Sequence, residues 1–124
     1  MLPKNPYRGN ASRYISLCRR GRWYYDEGRM QEAIDEFTIS ISFYPECSFA
    51  QYRLSCCYAL INEPENALNH FEKALELDSQ RVISEAVNDA ALDNIKASKK
   101  FMILMEEYGN SETKQDGSAI EIRN

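Results

Sequence analysis

Proton transfer, nucleophilic attack and metal ligation fall most readily to histidine and cysteine, and this chain of 124 residues holds one His and four Cys. General acid–base or nucleophilic work places a His beside a Ser or Cys, with a third group to orient it. The only imidazole, His70, stands between Asn69 and Phe71 among acidic neighbours, and reads as a surface-helix histidine. Zinc sites ask for Cys pairs two to four residues apart, or a Cys pair followed by a His pair. Cys56 and Cys57 are adjacent, so on a helix they point about 100° apart and cannot chelate one ion together. Cys18 and Cys47 have no local partner, and all four read as small apolar fillers at helix contacts. No Gly-rich phosphate loop and no His-Glu-x-x-His occurs. The expectation is therefore no catalytic residue, no metal, no cofactor and no enzyme.

A different chemistry is offered by Arg13, Arg19, Arg20, Arg22 and Arg29 beside Trp23, Tyr24 and Tyr25, which are the materials for phosphate contact and base stacking. Residues 1–30 carry a net +5, but the remainder carries −9 and the whole chain −4. That balance opposes a general attraction to polyanions, so nucleic acid is a disfavoured partner. With 44% hydrophobic and 27% charged residues the composition is that of a soluble globular domain. No apolar run approaches the roughly 18 residues of a membrane helix. The start, Met1-Leu2-Pro3-Lys4-Asn5-Pro6, is polar and proline-broken, unlike a secretory leader, so reduced thiols and a cytoplasmic location are expected.

The elements that hold these residues show a repeat. Gly21 and Ser55, Tyr24 and Tyr58, Gly28 and Asn62, Ala33 and Ala67, Phe37 and Phe71, and Pro45 and Ser79 are each 34 residues apart. Gly28 and Asn62 sit where a helix needs a C-terminal residue of positive φ. Pro64 falls at the start of the next helix, where its missing N–H costs nothing, and Pro45 closes a helix. Small residues (Gly21 with Ala33, Ser55 with Ala67) let antiparallel helices approach, and Tyr24, Phe37, Tyr58 and Phe71 fill the space beside them. The spacing predicts helices over 11–27, 30–44, 47–61 and 64–78. Ile83, Val87, Ala90, Ala97, Phe101, Leu104 and Tyr108 follow three-or-four spacing and predict a fifth, long helix over 82–108, with Ala97-Ser98 as a place for a break.

This period, with the pattern x-Gly21-x-x-Tyr24…Ala33-x-x-x-Phe37…Pro45 and its second copy, resembles the tetratricopeptide repeat family, in two units, 14–47 and 48–81. Leu17 and Gln51 stand where that family usually has Trp, Arg20 replaces a Leu, and Ser79 replaces the Pro. Arg20 predicts that its side of the first repeat faces water. The resemblance implies an all-α fold: a right-handed stack of antiparallel helix hairpins, an α-solenoid, closed by a long C-terminal capping helix. The expected organisation is an N-terminal extension over 1–10, a helical domain over 11–108 and a disordered tail over 109–124.

It further implies a non-enzymatic protein-binding adaptor or cochaperone-like scaffold, with a groove lined by the first helix of each repeat. In the first unit that stripe is Ile15, Cys18, Arg22 and Tyr25; in the second it is Phe49, Tyr52, Cys56 and Ala59, and Arg19 and Arg53 flank it. An extended or helical peptide with apolar anchors and an acidic group would fit these aromatics and arginines. The Lys and Asn pattern by which some members hold a chaperone's C-terminal carboxylate is not matched, since Cys18 and Arg22 occupy the corresponding places. The alternative to an open groove is that the fifth helix folds over these residues and makes them core. Phe101-Met102-Ile103-Leu104-Met105 covers more than one helix face, so Phe101, Met102 and Met105 are candidates for self-association as a homodimer.

Overall fold

The computed structural model describes residues 8–109. Helix α1 spans Arg8–Asp26, α2 Met30–Phe43, α3 Ser48–Leu60 and α4 Pro64–Val87. No strand occurs among the described residues. α1 packs on α2 and α3 on α4 as antiparallel hairpins, and α2 also packs on α3 so that the hairpins stack.

The two hairpin turns are built alike. Gly28 has φ +79° and Asn62 φ +68°. After α1 the Arg29 amide donates to the Tyr24 carbonyl (2.8 Å) and the Gly28 amide to the Tyr25 carbonyl (3.0 Å). After α3 the Glu63 amide donates to Tyr58 (2.8 Å) and the Asn62 amide to Ala59 (3.1 Å). Each is the paired bond of a Schellman end, which satisfies carbonyls the helix itself leaves open. The helices approach closely inside the first hairpin: a Cβ on Gly21 would lie 2.8 Å from Phe37 Cζ. In the second hairpin Ser55 takes that place, and its buried hydroxyl donates to the Ala67 carbonyl at 2.8 Å. Arg20 is exposed, as its charge predicts, and pairs with Glu36 of α2 at 2.9 Å.

The predicted single helix over 82–108 does not form. α4 is broken at Asp78, whose backbone is extended, and it runs on to Val87. Asp89 then accepts the Ala91 amide (3.0 Å) and caps a 3-10 turn, Ala90–Leu92, followed by the one-turn helix α5, Asp93–Lys96. The chain breaks again at Ala97-Ser98, where Ser98 Oγ accepts the Phe101 amide (3.1 Å) and opens the final helix, α6, over 99–109. Asp and Ser side chains compete for backbone partners, and Asp89 and Ser98 here win that competition against apolar periodicity. The buried residues of this region are Val82, Ala86, Leu92, Ile95, Phe101 and Leu104, whereas Val87, Ala90 and Ala97 of the predicted stripe face outward.

Two apolar clusters result, and α3 lies between them. Cys18, Ala33, Ile34, Phe37, Cys47, Ala50, Leu54 and Cys57 form one. Tyr52, Cys56 and Ala59 join α4 and the C-terminal pieces in the other, where the Phe71 and Phe101 rings stack at 4.8 Å. The roughly 100° between neighbouring positions sends Cys56 and Cys57 to opposite clusters. Arg81 fastens the second half of α4, donating to Asp78 and Glu85 (3.2 Å each) and to Ser48 Oγ at 2.7 Å. The predicted extension over 1–10 and tail over 109–124 fall almost wholly outside the described residues.

Candidate functional site

Five of the ten predicted groove residues converge on one cavity. Ile15, Cys18, Arg19 and Arg22 come from α1, Phe49 from the first turn of α3, and Tyr14 and Cys47 complete the lining. The cavity holds about 360 Å³. Helical spacing explains the set, because residues three and four apart share a face. Ile15 is open to solvent, as are Arg19 and Arg22, while Cys18 and Cys47 form a buried floor. Tyr14 leans on Tyr44 with ring centroids 4.9 Å apart, which fixes one wall. Arg22 reaches Asp26 only loosely, at 3.7 Å with both side chains exposed, and so keeps its donors for other use.

Arg53 and Tyr25 do not line the hollow but meet each other beside Phe49. The Arg53 guanidinium lies between two rings, 5.0 Å from Tyr25 and 5.4 Å from Phe49. Its Nε is buried without a hydrogen-bond partner among the described residues. Burial, then the neighbouring Cys56 and Asp89, pushes the Tyr25 hydroxyl well above the usual tyrosine range. Tyr25 is therefore a neutral phenol held against the Arg53 guanidinium.

The other three predicted groove residues are core. Tyr52, Cys56 and Ala59 are at most 1% exposed, so they cannot line an open groove. The turn after α4 covers them: Tyr52 donates its hydroxyl to Asp89 Oδ2 (2.7 Å), Cys56 Sγ lies 3.7 Å from the same oxygen, and Asn94 Nδ2 donates to the Ala59 carbonyl (2.9 Å). Arg22 and Tyr25 of the first unit are exposed or half-buried, whereas the equivalent Cys56 and Ala59 of the second have the turn after α4 folded against them. Tyr14, Cys47 and Asp89 were not foreseen. Tyr14 lies one helical turn before Cys18 and was legible as part of that stripe; Asp89 carried no local signal beyond its capping tendency.

His70 is half buried rather than on the surface. Its Nδ1 is 2.8 Å from Gln51 Oε1, and its ring stacks on Tyr58 with centroids 5.5 Å apart. Burial, followed by the charge of Lys73, lowers its pKa. It braces α3 against α4. Among the described residues no cluster of three or more His, Cys, Asp or Glu is placed to hold a metal ion. No helix among them is long and apolar enough to cross a membrane. Of the candidates for self-association, Phe101 is buried on Phe71 and Met105 is half buried against the core, which removes Phe101; Met102, with its neighbour Ile103, is exposed.

Residues 48–81 match the tetratricopeptide repeat family. The second hairpin is therefore tetratricopeptide-repeat-like. The α1–α2 hairpin, with its matching turn, is consistent with a second such unit in tandem, followed by additional helices after Asp78. The chain is also similar to a protein of Arabidopsis thaliana that is described as chloroplastic, with 29% identity over 99 residues that cover 75% of this chain. It spans only 28% of the length of that relative. No solved structure matches the chain.

Proposed function

We propose that this repeat pair is a non-enzymatic protein-binding module that docks a peptide or helix segment over the cavity beside α1, in a stack of right-handed sense. The observation that carries this reading is the meeting of Ile15, Arg19 and Arg22 with Phe49 over one hollow of about 360 Å³. An apolar hollow with cations at its rim fits an apolar anchor followed by a carboxylate. The tetratricopeptide repeat is generally a protein-interaction fold, which favours the same class. Because Tyr52, Cys56 and Ala59 are covered, the docking surface is confined to Ile15, Cys18, Arg19, Arg22, Tyr25, Phe49 and Arg53.

The test is capture of a partner by the full chain and by Arg19→Glu/Arg22→Glu and Ile15→Asp variants. Loss of one defined partner from both variants, with helicity unchanged, supports the site; undiminished capture by both overturns it. Binding to nucleic acid is disfavoured by the intramolecular partners of the arginines: Arg20 pairs with Glu36, Arg29 with Glu32, and Arg13 lies over the Phe43 ring. A second reading, self-association, is favoured by Met102 and Ile103 standing open side by side on α6. Sedimentation of Met102→Glu decides it, since a dimer through this face becomes a monomer. A cytoplasmic location is proposed, with the chloroplast, named in the relative's description, as the competing compartment. A fluorescent fusion of the full-length protein separates the two.

A further inference from the structure

Two of the four cysteines meet at the floor of the cavity. Cys18 comes from the middle of α1 and Cys47 stands at the N-cap of α3. Both line the same hollow and pack in one buried cluster, and Cys18 Sγ lies 3.1 Å from Ser40 Oγ. We propose that Cys18 and Cys47 are a dithiol site oxidised by hydroperoxides, which closes a disulfide between α1 and the start of α3.

The thiolate is the attacking species, so the order of ionisation sets the roles. Cys47 ionises first: the hydrogen bond from Cys18 lowers its pKa most, and the Phe49 and Ala50 amides and the charge of Arg81 act in the same sense against its burial. Cys18 holds its proton, kept there by donation to Cys47 and by burial.

The chemistry balances with the peroxide as the only added reactant. The Cys47 thiolate attacks one peroxide oxygen, the O–O bond breaks, and the leaving oxygen takes up a proton as water (or as an alcohol from an organic hydroperoxide). Cys47 is then a sulfenic acid. The Cys18 sulfur attacks the Cys47 sulfur, the S–O bond breaks, and the departing hydroxide takes the Cys18 proton as water. The two sulfurs together lose two electrons and the peroxide gains them. A peroxide is small enough to reach residues only 8% and 9% exposed through the cavity, whereas bulky disulfide reagents are held back. Cys56 and Cys57 are fully buried and do not line the hollow, so they serve as internal controls. The oxidation is that of the free chain and does not rest on the identity of any docked partner.

The experiment treats the reduced full chain with hydrogen peroxide, quenches it, alkylates under denaturing conditions and maps the fragments by mass. Two of the four free thiols should be lost, the chain should lighten by two hydrogens, and one cross-linked fragment should join Cys18 to Cys47. Cys18→Ser should leave Cys47 as a sulfenic acid that dimedone traps, with no cross-link. Cys47→Ser should leave Cys18 at least tenfold slower to oxidise. Four surviving thiols, a bridge through Cys56 or Cys57, or Cys18 oxidising in Cys47→Ser at the wild-type rate would overturn the proposal. Should either variant fail to show native helicity, the wild-type fragment map decides alone.

Discussion

Tyr52 donates its hydroxyl to one oxygen of Asp89 at 2.7 Å, and the other oxygen of Asp89 accepts the Ala91 amide at 3.0 Å. One carboxylate thus satisfies a phenol inside the core and starts the turn that covers it. Burial raises the Tyr52 pKa far above the tyrosine range, with Cys56 and Asp89 adding to it, so the phenol stays a donor at any physiological pH. Asp89→Ala removes the acceptor and the cap together and should lower stability by about 1–3 kcal/mol. Tyr52→Phe should cost about 1 kcal/mol alone and far less in the Asp89→Ala background. Urea unfolding of the four chains checks the coupling; equal losses in both backgrounds would show that the bond is not what holds the turn.

Gly28 and Asn62 make a matched pair of positive-φ positions, and substitutions should treat them alike. Gly28→Ala places a Cβ in the left-handed region and should cost about 1–2 kcal/mol, although no atom lies within 4 Å of it. Gly28→Asn should cost less than half of that, because Asn62 already performs the same task one repeat later. Thermal unfolding ranks the variants, and an Asn substitution as harmful as Ala contradicts the equivalence.

Gly21 is constrained by contact instead. A Cβ there meets Phe37 at 2.8 Å, and Phe37 is fully buried and cannot swing away. Gly21→Ala should destabilise by about 1–3 kcal/mol through overpacking, despite the better helix propensity of Ala. A more stable Gly21→Ala chain in denaturant titration would mean that the hairpin opens without penalty.

His70 gives the fold a pH dependence of definite sign. Its folded pKa is lowered by burial, so the unfolded chain binds the extra proton more readily. The contribution of His70 to stability is whole above the ordinary histidine pKa of about 6.5 and declines as pH falls through the window down to the lowered folded value. Unfolding midpoints measured from pH 7.5 to 5.5 should therefore drop for the wild-type chain and drop less for His70→Gln. Parallel curves would exclude the imidazole as the source.

The hairpins were legible in the sequence because what sets them is local. Gly28, Asn62, Pro64 and the small–large pairs act within a few residues of themselves, and a step of 34 exposes them. The closing segment was not legible in the same way. Val87, Ala90 and Ala97 have the spacing of a buried stripe, yet Asp89 and Ser98 turn the chain before the stripe can assemble. The groove was half legible for a related reason. Ile15 and Cys18 share one hollow with Arg19, Arg22 and Phe49, as helical spacing implies, but Tyr52 and Cys56 depended on Asp89 and on Leu92, more than thirty residues away. Periodicity says which face of a helix is apolar; it does not say which later segment arrives to cover it.

α3 gives Leu54 and Cys57 to one side and Tyr52 and Cys56 to the other. Neither flank can melt without stripping a face of that helix, so amide exchange in its centre should demand disruption of the entire molecule. A chain of barely more than two hairpins behaves in that respect as one cooperative body, with its keel in the middle rather than at an end.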